Sequence, residues 1–161
     1  MINTKTPTNT TIIPEIGLSD TARIGVVDSL RTVLADEHVI YMRLRNYHWN
    51  VTGPSFHALH EMYEEQYQAL EQVIDEVAER IRTYGEFAPG TMNEFIQTAR
   101  LKETAAYPDA ETMTVELAAF HETMVRNLRA DISRVSGEFQ DVGAEDFLTG
   151  LLQKHQEFAW M

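Results

Sequence analysis

The chain has 161 residues, with 13 Lys and Arg residues against 25 Asp and Glu residues, so its formal net charge is −12. Hydrophobic residues make up 43% and charged residues 24% of it, a balance typical of one globular domain and not of a disordered chain. It has no cysteine, which excludes disulfides, zinc thiolate sites and a cysteine nucleophile. An acidic chain repels phosphate backbones and attracts cations, so metal ions are better candidate partners than nucleic acid.

The N-terminal region gives no sign of a membrane or export signal. No apolar run approaches the roughly 20 residues of a membrane-spanning helix, and no basic start precedes a hydrophobic stretch. We therefore expect a cytoplasmic protein without membrane association. Residues 1–18 are rich in Thr, Asn and Pro and lack apolar periodicity, so we expect a flexible tail ahead of one folded domain at residues 19–161.

The first half of the domain contains two long segments with apolar residues at helical spacing. The first predicted helix covers about residues 19–50 and ends before Gly53-Pro54, because proline cannot continue a helix from inside. The second covers residues 55–84 and ends at Gly85. The short connection between them predicts that the two helices are neighbours.

The second half predicts two more helices after a long crossover. Residues 85–111 contain prolines, glycines and one short amphipathic turn, and the next helices are expected around residues 117–139 and 144–158. Four long helices with one long middle connection predict an all-α four-helix bundle, the ferritin-like arrangement, with a short extra helix in the crossover. Trp160 is expected to pack against this bundle.

The second predicted helix carries polar residues beside its apolar face. They are mostly four residues apart and therefore stack along one edge of the helix: His60, Glu64, Glu71, Asp75 and Glu79. Such a row is ordinarily the solvated flank of a bundle helix. Here His48, at the end of the first helix, and His57 add imidazoles. Imidazole mixed with carboxylate suits iron, manganese or zinc.

The spacing of these residues limits how they can bind a metal. None of the six histidines has a glutamate three residues before it, so the usual metal pair inside one bundle is not predicted, and no HExxH motif is present. His60 and Asp75 are separated by about 22 Å along one helix, at about 1.5 Å per residue, and cannot bind the same ion. Two copies of this helix packed antiparallel about a two-fold axis would bring its histidine end to its acidic end twice. The sequence therefore predicts a metal shared between subunits.

The residues around this row resemble a known family, the Dps proteins, which are dodecameric mini-ferritins named as DNA-binding proteins from starved cells. The matching positions extend over roughly residues 19–160 and include Tyr47-His48-Trp49-Asn50-Val51, Gly53, Phe56, Leu59-His60, Tyr67 and Asp75-x-x-x-Glu79-Arg80. The resemblance implies a homododecamer that oxidises Fe(II) with hydrogen peroxide in preference to dioxygen. It also implies that ferric mineral is stored in a hollow shell, which protects the cell from oxidative damage.

The resemblance further implies roles for individual residues at a ferroxidase centre on the dimer interface. Two histidines of one subunit would share the catalytic metals with an aspartate and a glutamate of the two-fold mate: His48, His60, Asp75 and Glu79. Glu64 would supply a further carboxylate to the second metal. Trp49 would be the aromatic residue beside the centre.

Two acidic groups outside the centre have implied roles and ordinary alternatives. The resemblance implies that Glu61, Glu64 and Glu65 seed mineral in the cavity and that Asp141 and Asp146 line a three-fold pore for iron entry. Glutamates in a first helical turn also complement the helix macrodipole. Aspartates in a helix connection also serve as N-caps.

The other histidines are expected to have mainly structural roles. His38 and His121 lie on apolar stripes, where a packed and hydrogen-bonded imidazole is the ordinary case. His57 is a candidate outer ligand or hydrogen-bond partner of the centre. His155, near the C-terminus, is a candidate for an extra metal site.

Direct DNA binding is expected to be weak or absent. The predicted tail carries only Lys5 and the C-terminus has no basic extension, while twelve subunits would sum to about −144 formal charges.

Two other functions suit the same metal ligands. One is a metal-dependent amide or ester hydrolase, because a bound metal with an open position activates water. The other is a passive shell that sequesters metal ions. The same ligands also accept zinc or manganese in place of iron.

Overall fold

The computed structural model describes residues 11–161 and contains helices but no strand in that range. The four long helices and the short one are α1 Asp20–Asn50, α2 Phe56–Thr83, α3 Met92–Thr98, α4 Ala110–Arg134 and α5 Val142–Trp160, with a π-helical turn at Val135–Phe139 between the last two. The all-α fold and the short crossover helix are thereby confirmed. Residues 1–10 of the expected tail lie outside the described residues, and residues 11–18 are not helical. No helix within residues 11–161 is long and apolar enough to cross a membrane.

The helices begin at caps that the sequence supplies. The side chains of Ser19, Asp109 and Asp141 accept backbone N–H bonds at the starts of α1, α4 and α5. Thr91 and Glu94 form a reciprocal capping box at the start of α3, which makes so short a helix stable in the crossover. The observed boundaries lie within a few residues of the predicted ones, except that α4 begins seven residues before the expected start at about residue 117.

The four long helices bury one apolar core. The largest fully buried side chains come from all of them and include Leu30, Leu34, Leu70, Ile81, Met113, Leu128 and Leu148. In α3 the expected apolar face is only partly buried: Phe95 stacks on His38 with ring centroids 3.7 Å apart, while Met92 and Ile96 are exposed. Trp160, expected to pack, is 85% exposed in the single chain.

A chain of three polar residues crosses the interior of the bundle. His155 Nε2 lies 2.9 Å from Oε1 of Glu37, and His155 Nδ1 lies 2.9 Å from Nδ1 of His121. All three side chains are buried. Burial, together with the neighbouring imidazole of His155, lowers the pKa of His121 to about 3. His121 is therefore a packed, hydrogen-bonded imidazole, and its partner His155 binds a carboxylate from α1.

The depressed pKa of His121 predicts that stability falls as the pH falls from 6.5 towards 3. Unfolding returns this imidazole to an ordinary pKa near 6.5, so in this range the unfolded chain binds a proton that the folded chain does not. The loss is at most about 1.4 kcal/mol per pH unit and is absent above pH 6.5. Urea unfolding at several pH values between these limits measures it.

A matched variant isolates the effect from that of the carboxylates. His121→Asn keeps a side-chain amide that can form a hydrogen bond with Nδ1 of His155 but does not titrate in this range. The pH dependence of its urea midpoint should be flatter than that of the unmodified protein. An unchanged slope would show that His121 contributes nothing to acid sensitivity.

Candidate metal centre

The corner between α1 and α2 brings the two candidate histidine ligands together. It consists of residues 51–55 and turns at Gly53, whose φ of 107° is strained for any residue with a Cβ atom. The N–H of Phe56 donates to the carbonyl of Gly53 at 3.1 Å, so α2 starts directly after the turn. The last turn of α1 therefore lies beside the first turns of α2.

His48 and His60 hold each other in place at this corner. Nδ1–H of His48 donates to the backbone carbonyl of His60 at 2.9 Å, and Nδ1–H of His60 donates to the carbonyl of His48 at 2.8 Å. Because a carbonyl can only accept, each Nδ1 carries the hydrogen, and the Nε2 of each neutral ring keeps the lone pair that a metal requires. The His48 carbonyl is available because the last carbonyls of a helix have no partner within it. The two rings stack with centroids 3.7 Å apart.

Glu64 completes a group of three ligands one turn after His60. Ligand atoms of His48, His60 and Glu64 all lie within 4.8 Å of one another, and no other such group occurs within residues 11–161. The hydroxyl of Tyr67 and the amide of Gln68 both donate to Oε1 of Glu64, at 3.1 and 3.2 Å. His48 is buried, whereas His60 and Glu64 are half-buried, so the group is open on one side. Two nitrogens and a carboxylate with open positions suit a divalent transition metal.

Asp75 and Glu79 do not reach this group within the chain. Helix α2 is unbroken from Phe56 to Thr83, which separates His60 from Asp75 by about 22 Å at about 1.5 Å per residue. Both carboxylates are exposed. Neither side chain forms a hydrogen bond or ion pair with another residue in the described part of the chain. One chain therefore brings together three of the five predicted ligands.

An aromatic cluster borders the three ligands. The guanidinium of Arg45 lies over the rings of Tyr67, Trp49 and Tyr41, at 4.5, 5.3 and 5.7 Å from their centroids. Trp49 follows His48 directly in the sequence, is 58% exposed and contacts Arg45 of this cluster. Burial raises the pKa of the Tyr67 phenol, and its hydrogen bond to Glu64 raises it further. Neither Arg45 nor Tyr67 was a predicted site residue, although Tyr67 lies three residues after Glu64, on the same helical face.

Two of the three candidate nucleation residues lie on the exposed side of α2, while the third, Glu64, belongs to the three-ligand group. Glu61 and Glu65 are exposed, and Glu61 approaches His57 with 3.3 Å between Oε2 and Nδ1. His57 is 83% exposed at its side chain and is not part of the three-ligand group.

The two candidate pore residues differ in their surroundings. Asp141 caps α5 by accepting the Ala144 N–H at 3.0 Å, and its second oxygen accepts the hydroxyl of Tyr84 at 2.6 Å. Burial and this hydrogen bond raise the pKa of Tyr84 to about 12. Asp146 is exposed. Asp141 therefore serves the capping role considered as its alternative, and Asp146 is the freer carboxylate.

Comparisons with known proteins agree on the fold. Residues 27–161 match the family model of the ferritin-like domain. The chain is 46% identical over 147 residues to an uncharacterized low temperature-induced protein of Nostoc, covering 91% of this chain and 82% of that protein. It is 33% identical over 136 residues to DNA protection during starvation protein 2 of Bacillus anthracis, covering 84% and 92%. The crystal structure of the DPS protein from Vibrio cholerae O1, a member of a broad superfamily of ferritin-like diiron-carboxylate proteins, matches with a TM-score of 0.85, 28% identity and 96% coverage of both chains.

The geometry predicts that His60 binds metal and that its neighbour His57 does not. Replacing His60 with alanine removes one ligand and also the hydrogen bond that orients His48, so affinity for Co(II) should fall by roughly 100-fold or more. His57→Ala, one turn earlier, is the matched control and should leave the affinity unchanged. Calorimetric titration with Co(II) near neutral pH measures both. Equal losses in the two variants would contradict the three-ligand group.

Proposed function

Because the chain belongs to the Dps family of ferritin-like proteins, we propose that it is a cytoplasmic ferroxidase that stores iron in a hollow homododecamer. The observation that supports this most directly is the division of ligands along α2. One end carries His60 and Glu64 beside His48, and the other end carries Asp75 and Glu79, exposed and without a partner in the described chain. A second copy is the simplest source of the missing ligands.

A two-fold axis between two subunits would give both the histidine end and the carboxylate end of α2 their missing ligand partners. Antiparallel packing of two α2 helices brings the histidine end of each to the carboxylate end of the other and forms two equal centres. The axis would cross α2 midway between His60 and Asp75, near Gln68. The surface there is an open groove lined by Gln68, Glu71, Gln72 and Asp75 together with His38 and Phe95. This groove leaves room for a second helix beside α2.

The proposed chemistry pairs two ferrous ions with one hydrogen peroxide. Each Fe(II) gives one electron, and the two electrons break the O–O bond of peroxide, so no hydroxyl radical needs to be released. Hydrolysis of the ferric product completes the balance: two Fe(II), one peroxide and two waters give two FeO(OH) and four protons. The imidazole nitrogens bind the ferrous substrate, and the carboxylates Glu64, Asp75 and Glu79 stabilise the higher charge of the ferric product. The preference for peroxide over dioxygen rests on the family resemblance.

Other acidic residues would handle iron before and after oxidation. Asp146 is exposed at the start of α5 and is proposed to line the entry pore, with Asp141 fixing the cap of that helix. Glu61 and Glu65 are exposed and proposed to seed mineral. Rings of carboxylates repeated by symmetry would concentrate cations at both places.

Subunit mixing tests the shared centre directly. His60→Ala and Asp75→Ala should each abolish rapid oxidation of Fe(II) by peroxide. In a mixed dimer of the two variants, one centre lacks both residues and the other is intact, so equal co-expression should restore roughly a quarter of the activity. Stopped-flow absorbance of the ferric product measures it, and the particle mass should be about twelve times 18.4 kDa.

In the control mixture, both variants lack a histidine ligand, so the two substitutions affect the same half of the shared centre. Co-expressed His60→Ala and His48→Ala subunits cannot assemble an intact centre and should stay inactive. If the first mixture also stays inactive although the particles are mixed, the ligands are not shared between subunits. Full activity in either single variant would favour a passive shell.

We also propose that any protection of DNA proceeds by removal of iron and peroxide and not by DNA binding. A net charge of −12 per subunit repels the phosphate backbone, and the repulsion adds over an assembly. Plasmid mobility in a gel should therefore be unchanged by the protein at physiological salt and neutral pH without added divalent metal. Condensation of the plasmid under those conditions would overturn this part of the proposal.

A further inference from the structure

We infer that Tyr67 is a positioning residue of the metal centre, holding Oε1 of Glu64 so that Oε2 is presented to the second metal. The inference rests on the proposed function, because it concerns the same ligands. It adds a residue for which neither the sequence motif nor the comparisons supply a role.

The ring of Tyr67 is fixed on several sides. The side chain is buried, and the guanidinium of Arg45 covers one face at 4.5 Å from the centroid. His48 and Tyr41 meet it edge to face, with centroids at 5.3 and 6.2 Å. Cation–π and edge-to-face contacts of this kind restrain the orientation of an aromatic ring. The hydroxyl is therefore held at one place beside the centre.

The direction of the hydrogen bonds determines which oxygen of Glu64 stays free. Both Tyr67 and Gln68 donate to Oε1 of Glu64, at 3.1 and 3.2 Å. Gln68 is exposed, so its amide competes with water, whereas the Tyr67 side chain is buried and its ring is fixed. With Oε1 occupied by two donors, Oε2 is the oxygen that remains for a metal. A glutamate with several free rotamers otherwise has to be ordered by the metal itself.

Tyr67 also connects two ligands that come from different helices. Its ring contacts His48 of α1, and its hydroxyl binds Glu64 of α2. One rigid side chain thus contacts both a carboxylate and an imidazole whose ligand atoms lie within 4.8 Å of each other. Residues that hydrogen-bond to metal ligands or pack against them commonly orient those ligands and so affect metal affinity.

The test removes only the hydroxyl. Tyr67→Phe keeps the ring against Arg45, His48 and Tyr41, and should weaken binding of the second Co(II) by roughly 10- to 100-fold while leaving the first nearly unchanged. The visible absorption of Co(II) during titration separates the two steps. With Fe(II) and peroxide, KM for iron should rise more than kcat falls. Tyr63→Phe is the matched control, because that hydroxyl is buried one turn earlier and bonds Thr114 at 3.0 Å, away from the ligands.

A double variant shows whether Tyr67 acts through Glu64. If it does, Tyr67→Phe combined with Glu64→Gln should bind Co(II) and oxidise iron like Glu64→Gln alone. A double variant worse than Glu64→Gln, an effect no larger than that of Tyr63→Phe, or equal weakening of both binding steps would overturn the inference. Because Co(II) titration needs no oxidation, it distinguishes failure of this inference from failure of the proposed ferroxidase activity.

Discussion

The length of one unbroken helix is the constraint on which the functional interpretation depends. Helix α2 has 28 residues, and a helix of that length cannot fold back to bring its two ends together. Two imidazoles and a carboxylate gather at its first turns, while the remaining acidic residues lie four turns further along. One chain therefore contains all of the predicted ligands but cannot bring them together at one metal ion. Under the proposed function, a symmetry-related copy supplies the missing ligands.

The half of the centre present in one chain is organised mainly by backbone groups. The imidazoles of His48 and His60 donate their hydrogen bonds to backbone carbonyl oxygens, at a helix end and a helix start, and not to other side chains. Backbone positions are fixed by the fold itself, so the tautomer and direction of each ring are set once the corner at Gly53 has formed. The surrounding rings and Arg45 then restrict motion of the remaining ligand.

The fold and part of the centre could be predicted because their signals are local. Gly53-Pro54 marks the corner, and the period of the apolar residues marks each helix. The bond between Asp141 and Tyr84 could not be predicted, since it joins residues 57 positions apart and depends on how α5 packs beside the end of α2. Glu37 was missed for the same reason, because an acid on a helix is ordinarily a surface residue. Only the packing of α5 shows that it meets His155 in the interior.

The reciprocal bonds between His48 and His60 have a consequence for the timing of iron chemistry. They are made within one polypeptide, so a newly folded subunit already carries three donor atoms in place while the other two carboxylates wait elsewhere. Under the proposed sharing, such a subunit binds ferrous iron weakly, and binding becomes tight when a second subunit associates with it. Oxidation would then begin only where subunits are assembling into a shell around the product, so insoluble ferric oxide would not form in the surrounding solution.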